Sequence, residues 1–527
     1  MAPAIASPKT SLYPLTIKSV AKGQTISKQL IINTNPVETR IALLHEGRLE
    51  ELFIEREHGR SRVGNIYRGI VTRVLPGMQA AFVNAGLERT AFLYGGDVLD
   101  PELVKLNREA PLSGPDDEDQ TRLVNRTPIE KLLKEGEEVV IQVAKEALGS
   151  KGARVTMFLS LPGRYLVLMP NFNHIGISRR IEDEEERHRL YDLVRQIKPD
   201  GVGVIVRTAA EGVDSGHLQK DLKYLSKVWR TVDGKSRHGS PPQLIYQDLS
   251  IIFKTTRDLY NDEIGKIVID DSQAGEELKR FLKATIPGAA EKVESYSAPK
   301  PIFDEFDIEL EISKALGMKI ELPSGGYLVI DQTEALTSFD VNTGKFVGTL
   351  SAQETITKTN MEAVAKIVEQ LRVRNIGGII VIDFIDMERL EDREKVYDSL
   401  QEELKKDKAR TNVLKISELG LVQMTRKRTN ESLEHQLMDQ CPFCDGRGKV
   451  RSVATEAYDL IREMIRSSIQ KGSTALKVKV REDIREWILN REAELFESVV
   501  DKYGLKVEFE PVQLDLADLR EPSFEVN

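Results

Sequence analysis

Cysteine is almost absent from this chain: Cys441 and Cys444 are the only two in 527 residues. That excludes a disulfide framework as a source of stability, and a bridge across so short a loop would be strained. Long hydrophobic runs are missing as well. No apolar stretch approaches the ~20 residues a membrane-spanning helix needs. The opening MAPAIASPKTSLYPLTIKSVAKGQ lacks the charged start and apolar stretch of a secretory signal, so it reads as a loose leader on a cytoplasmic protein. Positive charge is in deficit too: 75 Lys and Arg face 84 Asp and Glu, for a net charge of −9. That by itself argues against a nonspecific nucleic-acid coat. Any nucleic-acid site must be local, or must recruit a cation to bridge carboxylates and phosphates. No internal repeat is visible.

What is present is a mixture of 40% apolar and 30% charged residues, enough for several cores and roughly three to five domains. From about 26 to 57, alternating apolar and polar residues with hairpin-like breaks predict a β-meander. GNIYRGIVTRVLPGMQAAFVNAGLERTAFLYGGDV (64–98) reads as short strands punctuated by Gly and Pro, the pattern of a small barrel. The polar, acidic stretch around 115 predicts a surface insertion before EEVVIQVAKEA closes that barrel. Strands at 164–170 and 202–210 flank a charged helix and predict an α/β module. A helix at 218–232 precedes LIYQDLSIIFKTTRDLY, which reads as the restart of a sheet. From 325 to 387 the order is β-α-β, and past the cysteines helix 455–469, strand 475–480, helix 482–502 and strand 505–510 make an α/β tail.

Two carboxylates carry the chemistry. GGIIVIDFI (377–385) is nearly continuous in apolar residues, the signature of a strand buried on both faces, and Asp383 lies inside it. A buried carboxylate must protonate, pair with a cation or hold a metal. In FDVN, Asp340 and Asn342 project from one face of an extended chain. If the helix between the strands is a normal crossover, both carboxylates reach one sheet edge. Two Asp and one Asn are oxygen ligands suited to Mg²⁺ or Mn²⁺, and the implied chemistry is phosphodiester hydrolysis. The competing account makes Asp340 the start of a turn and pairs Asp383 with an Arg or Lys. Asp386, at the expected strand end, reads as an ordinary cap or as a group supporting the ligands from behind.

Phe82 and Phe92 flank the turn NAGLERT, where two aromatics can form a stacking platform for bases; equally, both can fill the barrel core. Lys145 and Lys151 offer phosphate contacts at the barrel exit. Arg207 and Thr208 end an apolar strand, where a guanidinium fork and a hydroxyl can clamp a phosphate, and GISRR contributes Arg179 nearby. CPFC also matches a redox motif, but such motifs open a helix, and the Asp-Gly-Arg-Gly that follows opposes one. C-x-x-C-x-G-x-G instead resembles a zinc knuckle, whose glycines turn backbone N–H groups toward sulfur. A structural zinc needs about four ligands. His435 is the one local candidate for a third, in a segment that reads as helix.

Taken in order, GNIYRGIVTRV, AAFVNAGLERTAF, YLVLMP, GISRRI, VIVRTA, LPSGG, DQTEALTSFDVN, GGIIVIDFIDM and CPFCDGRG resemble the ribonuclease E/G family, colinearly from about residue 30 to 450. The resemblance implies an Mg²⁺-dependent endoribonuclease that cuts single-stranded RNA to 5′-phosphate and 3′-hydroxyl ends, in rRNA processing and mRNA decay. It matches Asp340 and Asp383 to the metal ligands and Asn342 to their support. Phe82, Phe92, Lys145 and Lys151 match RNA contacts; Arg207, Thr208, Gly163, Val167 and Arg179 match a pocket that senses a 5′-monophosphate. The implied α/β multidomain architecture comprises a leader and RNase H-like part (1–60, resumed at 251–315) and an inserted OB-fold barrel (61–157). A 5′-sensor (158–250) and a DNase I-like catalytic part (316–437) follow, then a zinc link (438–451) and a small C-terminal dimerisation domain (452–527). Zn²⁺ would be shared between two subunits, each giving Cys441 and Cys444, so the chain is expected as a homodimer, with a homotetramer open. Leu148 departs from the family by replacing a basic residue, and the acidic insertion near 115 is unfamiliar. A long Arg- and Pro-rich tail like that of E-type members is not found, which favours a compact G-type enzyme. A non-catalytic RNA-binding protein and a thiol redox protein are the alternatives.

Overall fold

The computed structural model describes residues 28–56, 60–100, 127–147, 152–344, 352–428, 431–441, 444, 446, 448–512 and 524–526. The leader, the acidic insertion, Leu148 and Lys151 lie outside the described residues. The chain forms two units, Met1–Thr429 and Asn430–Asn527.

The predicted meander is present as Lys28–Thr34, Glu38–His45 and Arg48–Arg56. Its first strand pairs in parallel with Ile264–Ile269, so one five-stranded sheet joins chain segments far apart in sequence. Leu30, Ile31 and Ile32 are fully buried, as an inner strand requires, and Asp270 locks the junction by accepting from Asn33 Nδ2 at 2.6 Å and from the Thr34 N–H at 2.8 Å.

Between these halves sits a barrel. Ile66–Leu75 pairs with Ala80–Asn84, then Ala91–Tyr94, Arg154–Thr156 and Glu138–Lys145, which returns to Ile66–Leu75 and closes the ring. This is a closed five-strand barrel in a mixed α/β protein, consistent with an OB-fold. Alternation decides its inside: Val71, Ala81, Val83, Ala91, Leu93, Val143 and Val155 fill the core. Here the sequence-based reading needs correction. Gln243–Tyr246 does not restart a sheet but adds to the barrel's edge, and Ile251–Leu259, read as strand, is a helix. In that helix Ile252, Thr255, Thr256 and Leu259 recur at helical spacing on the buried face, a period that outweighs the β-branched composition.

The α/β module is a four-stranded sheet, Ile175–Ile177, Gly203–Val206, Leu166–Met169 and Leu161–Pro162, backed by helices Glu184–Ile197 and Ser215–Ser236. The final sheet of the first unit has six strands, in which Leu336–Asn342 runs parallel to Gly378–Asp383 across the helix Ala352–Val373. That helix and Leu390–Leu404 share one core with the buried face of the sheet, through Val364, Ile367, Leu371, Val396 and Leu400 against Phe339, Ile380 and Ile382.

In the second unit, helix Val453–Lys471 packs on a sheet of Ala475–Arg481, Lys506–Val512 and Phe524–Val526. The single predicted helix at 482–502 is two, Glu482–Arg491 and Ala493–Tyr503, broken at Glu492.

Candidate active site and nucleic-acid interface

The strand holding Asp383 is not buried on both faces, contrary to its composition. Both crossover helices lie on one side, so Ile380 and Ile382 are buried while Ile379 is 52% exposed and Asp383 is exposed. Residues of alternating direction along a strand cannot all be covered by helices on one face. The open face carries the site. Asp340 and Asp383 are register partners at the C-terminal ends of adjacent parallel strands, which lie about 4.8 Å apart. Asn342 stands on the same face and donates from Nδ2 to Asp340 Oδ2 at 2.9 Å, which leaves its amide oxygen available.

Among the described residues neither carboxylate forms an ion pair, so the alternative of an Arg or Lys partner for Asp383 is not met. Asp340 lies within its strand, not at the start of a turn. Partial burial raises the proton affinity of Asp383, and the negative charges of Asp340 and Asp386 raise it further. Asp386 is therefore electrostatically part of this cluster. Two like charges held side by side with a free amide oxygen are the donor set an oxygen-seeking divalent cation fits. Among the described residues no group of three or more His, Cys, Asp or Glu forms a closed metal cage, so any cation here would keep several waters.

Sequence reasoning missed Asn360. It is fully buried in the crossover helix, donates from Nδ2 to the Ile385 carbonyl at 2.9 Å and accepts the Ile385 N–H at 3.1 Å. This reciprocal pair fixes the chain between Asp383 and Asp386. The only sequence signal was a polar residue on an otherwise apolar helix stripe.

On the barrel, Phe82 and Phe92 are cross-strand partners whose rings meet edge to face at 6.0 Å. Both are half-exposed while Ala81, Val83, Ala91 and Leu93 between them are buried, so the rings stand outside and do not fill the core. The register extends this pair into a row of Arg73, Phe82, Phe92, Arg154 and Lys145, one residue from each barrel strand. Arg73 and Arg154 were not singled out from the sequence because only the barrel's closure places them beside the aromatics. Arg154 is oriented by Asp97 at 2.7 Å.

Arg207, Thr208, Gly163, Val167 and Arg179 gather at one end of the four-stranded sheet. Val167 pairs with Ile205, the Arg207 N–H donates to Tyr165 O at 2.8 Å, and Ser178, next to exposed Arg179, donates to Val206 O at 2.9 Å. Arg207 is more than a solvated strand end. Its Nη1 reaches Gly163 O at 2.5 Å and Asp258 Oδ1 at 2.9 Å, and no further side-chain partner is found among the described residues. Part of its fork is thus left for a ligand. Burial pushes Asp258 toward its neutral form, but hydrogen bonds from Arg257 and the charges of Arg257 and Arg207 prevail and hold the carboxyl below the usual range.

Beneath lies Asp221, fully buried, accepting the backbone N–H groups of Arg164, Tyr165 and Leu166 at 3.1, 2.8 and 2.9 Å. Burial dominates and raises its proton affinity, against the pull of those three N–H groups. A Cβ at Gly163 would lie 2.5 Å from an Asp221 carboxylate oxygen, so only glycine permits this approach.

In the second unit, the Gly448 N–H donates to Cys444 Sγ at 3.2 Å, with Gly446 and Gly448 at positive φ. The next helix begins only at Val453. Among the described residues from Cys441 to Val450 none is helical, which counts against the redox reading.

Fold and site together describe a nucleic-acid-processing protein: one unit holds both an aromatic-faced barrel and a sheet that presents paired carboxylates. Comparison with known families agrees. The ribonuclease E/G family model matches residues 160–429, and a model described as the RNase E/G thioredoxin-like domain matches 440–526. Ribonuclease G of Escherichia coli is 43% identical over 489 residues, covering 92% of this chain and 98% of that protein. Ribonuclease G of Haemophilus influenzae is 44% identical over 467 residues, covering 88% and 92%. Ribonuclease E of the same organism is 36% identical over 482 residues, covering 91% of this chain but 50% of that protein. The chain belongs to the ribonuclease E/G family, and its length matches that of the compact G-type members.

Proposed function

We propose that this protein is a Mg²⁺-dependent endoribonuclease acting on single-stranded RNA, leaving 5′-phosphate and 3′-hydroxyl ends, and serving rRNA processing and mRNA decay in the cytoplasm. The observation that carries this reading is the register pairing of Asp340 with Asp383 on an open sheet face, where neither forms an ion pair among the described residues. A bound divalent cation would neutralise phosphate charge and polarise a water molecule. The chain's own part is to hold the two carboxylates and Asn342 on one sheet face, and to lay the RNA on Phe82 and Phe92 with Arg73, Lys145, Lys151 and Arg154 on its phosphates.

Among the described residues no helix is long and apolar enough to cross a membrane. Arg207 and Thr208, with Gly163, Val167 and Arg179, form the pocket for a 5′-monophosphate in this reading. The five-stranded sheet is the RNase H-like part, the six-stranded sheet the DNase I-like catalytic part. Cys441 and Cys444 supply half of a zinc site completed by a second subunit, which makes the homodimer; metal analysis should find one zinc per two chains, and one per chain would refute the sharing.

The test is cleavage of a 5′-monophosphorylated single-stranded RNA in Mg²⁺ against its 5′-hydroxyl counterpart, in wild type and Asp383→Asn. Faster cleavage of the phosphorylated RNA, lost in the variant, is expected. Cleavage retained by Asp383→Asn would remove the metal assignment, and RNA binding without cleavage by wild type would reopen the reading as a non-catalytic RNA-binding protein.

A further inference from the structure

The helix Ser215–Ser236 buries Leu218, Asp221, Leu222, Leu225 and Val232 against the sensor sheet. At about 100° per residue, Lys220, Lys223, Lys227 and Arg230 fall within an arc of about 80° on the opposite side. All four are exposed, and among the described residues none forms an ion pair or side-chain hydrogen bond. Several lysines elsewhere in the chain are paired instead: Lys266, Lys279, Lys314 and Lys406 each meet a glutamate within 3.2 Å.

The stripe runs into a surface cavity of about 450 Å³ lined by Arg230, Thr231, Lys235, His238 and Gln243. Gln243 is already barrel: it pairs with Arg68, whose Nη1 donates to Gly239 O at 2.8 Å. The unpaired cations therefore form a path from the helix that supports the Arg207 pocket to the edge of the barrel.

We infer that this stripe is a binding surface for the phosphodiester backbone of substrate RNA outside the cleaved stretch. A chain with a net charge of −9 gains nothing in solubility from such a cluster, since its net charge is already far from zero. Clustered, unpaired cations are the electrostatic footprint of a polyanion. Trp229 and Tyr224 on this helix are half-buried against the core, so the stripe offers charge without a stacking aromatic. Recognition there is of backbone, independent of sequence.

The test replaces Lys220, Lys223, Lys227 and Arg230 together by Gln and measures RNA binding by fluorescence anisotropy without divalent metal, across salt concentrations. A control replaces Lys266, Lys279, Lys314 and Lys406 by Gln, an equal change in net charge. For a 30-nucleotide RNA the stripe variant should bind at least about tenfold more weakly at low salt. Its log K against log salt slope should be shallower by about 3 for a single strand, from about 0.7 per lost contact, and equally so for two unrelated sequences. The control should match wild type. Comparing an unstructured RNA with a hairpin of equal length assigns the backbone source as single-stranded or paired. Unchanged affinity and slope in the stripe variant would overturn the inference. So would equal loss in the control, or a loss confined to anionic lipid vesicles. Circular dichroism checks that the exposed substitutions leave the fold intact.

Discussion

Two charged clusters in the first unit are built on opposite plans. At the Arg207 pocket opposite charges are paired: Arg207 and Arg257 share Asp258, and Asp221 is saturated with backbone N–H groups. At the open sheet face like charges are adjacent, and among the described residues neither Asp340 nor Asp383 pairs with a cationic side chain. The first arrangement is electrostatically finished within the chain apart from the open part of the Arg207 fork. The second is electrostatically unfinished among the described residues. In the proposed reading a divalent cation balances it, so the first cluster would position an RNA end and the second would take part in cleavage.

The largest effect should come from the unfinished cluster. Asp383→Asn should reduce cleavage by about 10³-fold, since metal-assisted charge stabilisation is worth several kcal/mol. The same variant should melt slightly higher than wild type in metal-free buffer. The sign follows from the raised proton affinity of Asp383: the folded state favours the protonated form, so ionisation above the ordinary carboxylate range costs stability, and an uncharged Asn avoids that loss. For the same reason the variant's advantage in metal-free buffer should shrink as pH is lowered through the range in which Asp383 takes up its proton. A lower melting temperature in Asp383→Asn would break the contrast between the clusters.

At the finished cluster, Arg207→Gln should remove most of the preference for a 5′-phosphate, about 10- to 100-fold for a charged hydrogen bond, while cleavage of 5′-hydroxyl RNA stays within about twofold. Equal losses on both RNA ends would place Arg207 in the structure and not in sensing. Phe82→Ala and Phe92→Ala should each weaken RNA binding by about 1–3 kcal/mol with little change in melting temperature, because both rings lie outside the barrel core. A large drop in stability would return them to the core. Gly163→Ala should lower stability by about 1–3 kcal/mol, as its Cβ would meet the Asp221 carboxylate at 2.5 Å; calorimetry reads this, and discrimination between RNA ends should fall with it.

Much of the fold was legible from pattern. The meander, the barrel and the β-α-β order around Asp340 and Asp383 follow from alternation and Gly or Pro punctuation, which are local properties. Two errors have one cause. GGIIVIDFI and IIFKTTRDL are rich in β-branched residues, yet one is a strand open on one face and the other a helix. Composition reports what a segment tolerates, and its neighbours decide what covers it.

The sequence by itself determined which residues can do chemistry here: two carboxylates with an amide, two aromatics, a terminal Arg and a pair of thiols. Those identities are covalent facts, and their colinear order already placed the chain in a family. Only the tertiary structure decided that Asp340 faces Asp383, that Phe82 and Phe92 point outward in a row with Arg73, Arg154 and Lys145, and that buried Asp221 and Asn360 hold the loops behind the sites. These are register and burial relations between distant segments, fixed by sheet pairing and by which face the helices cover, and no local pattern encodes them.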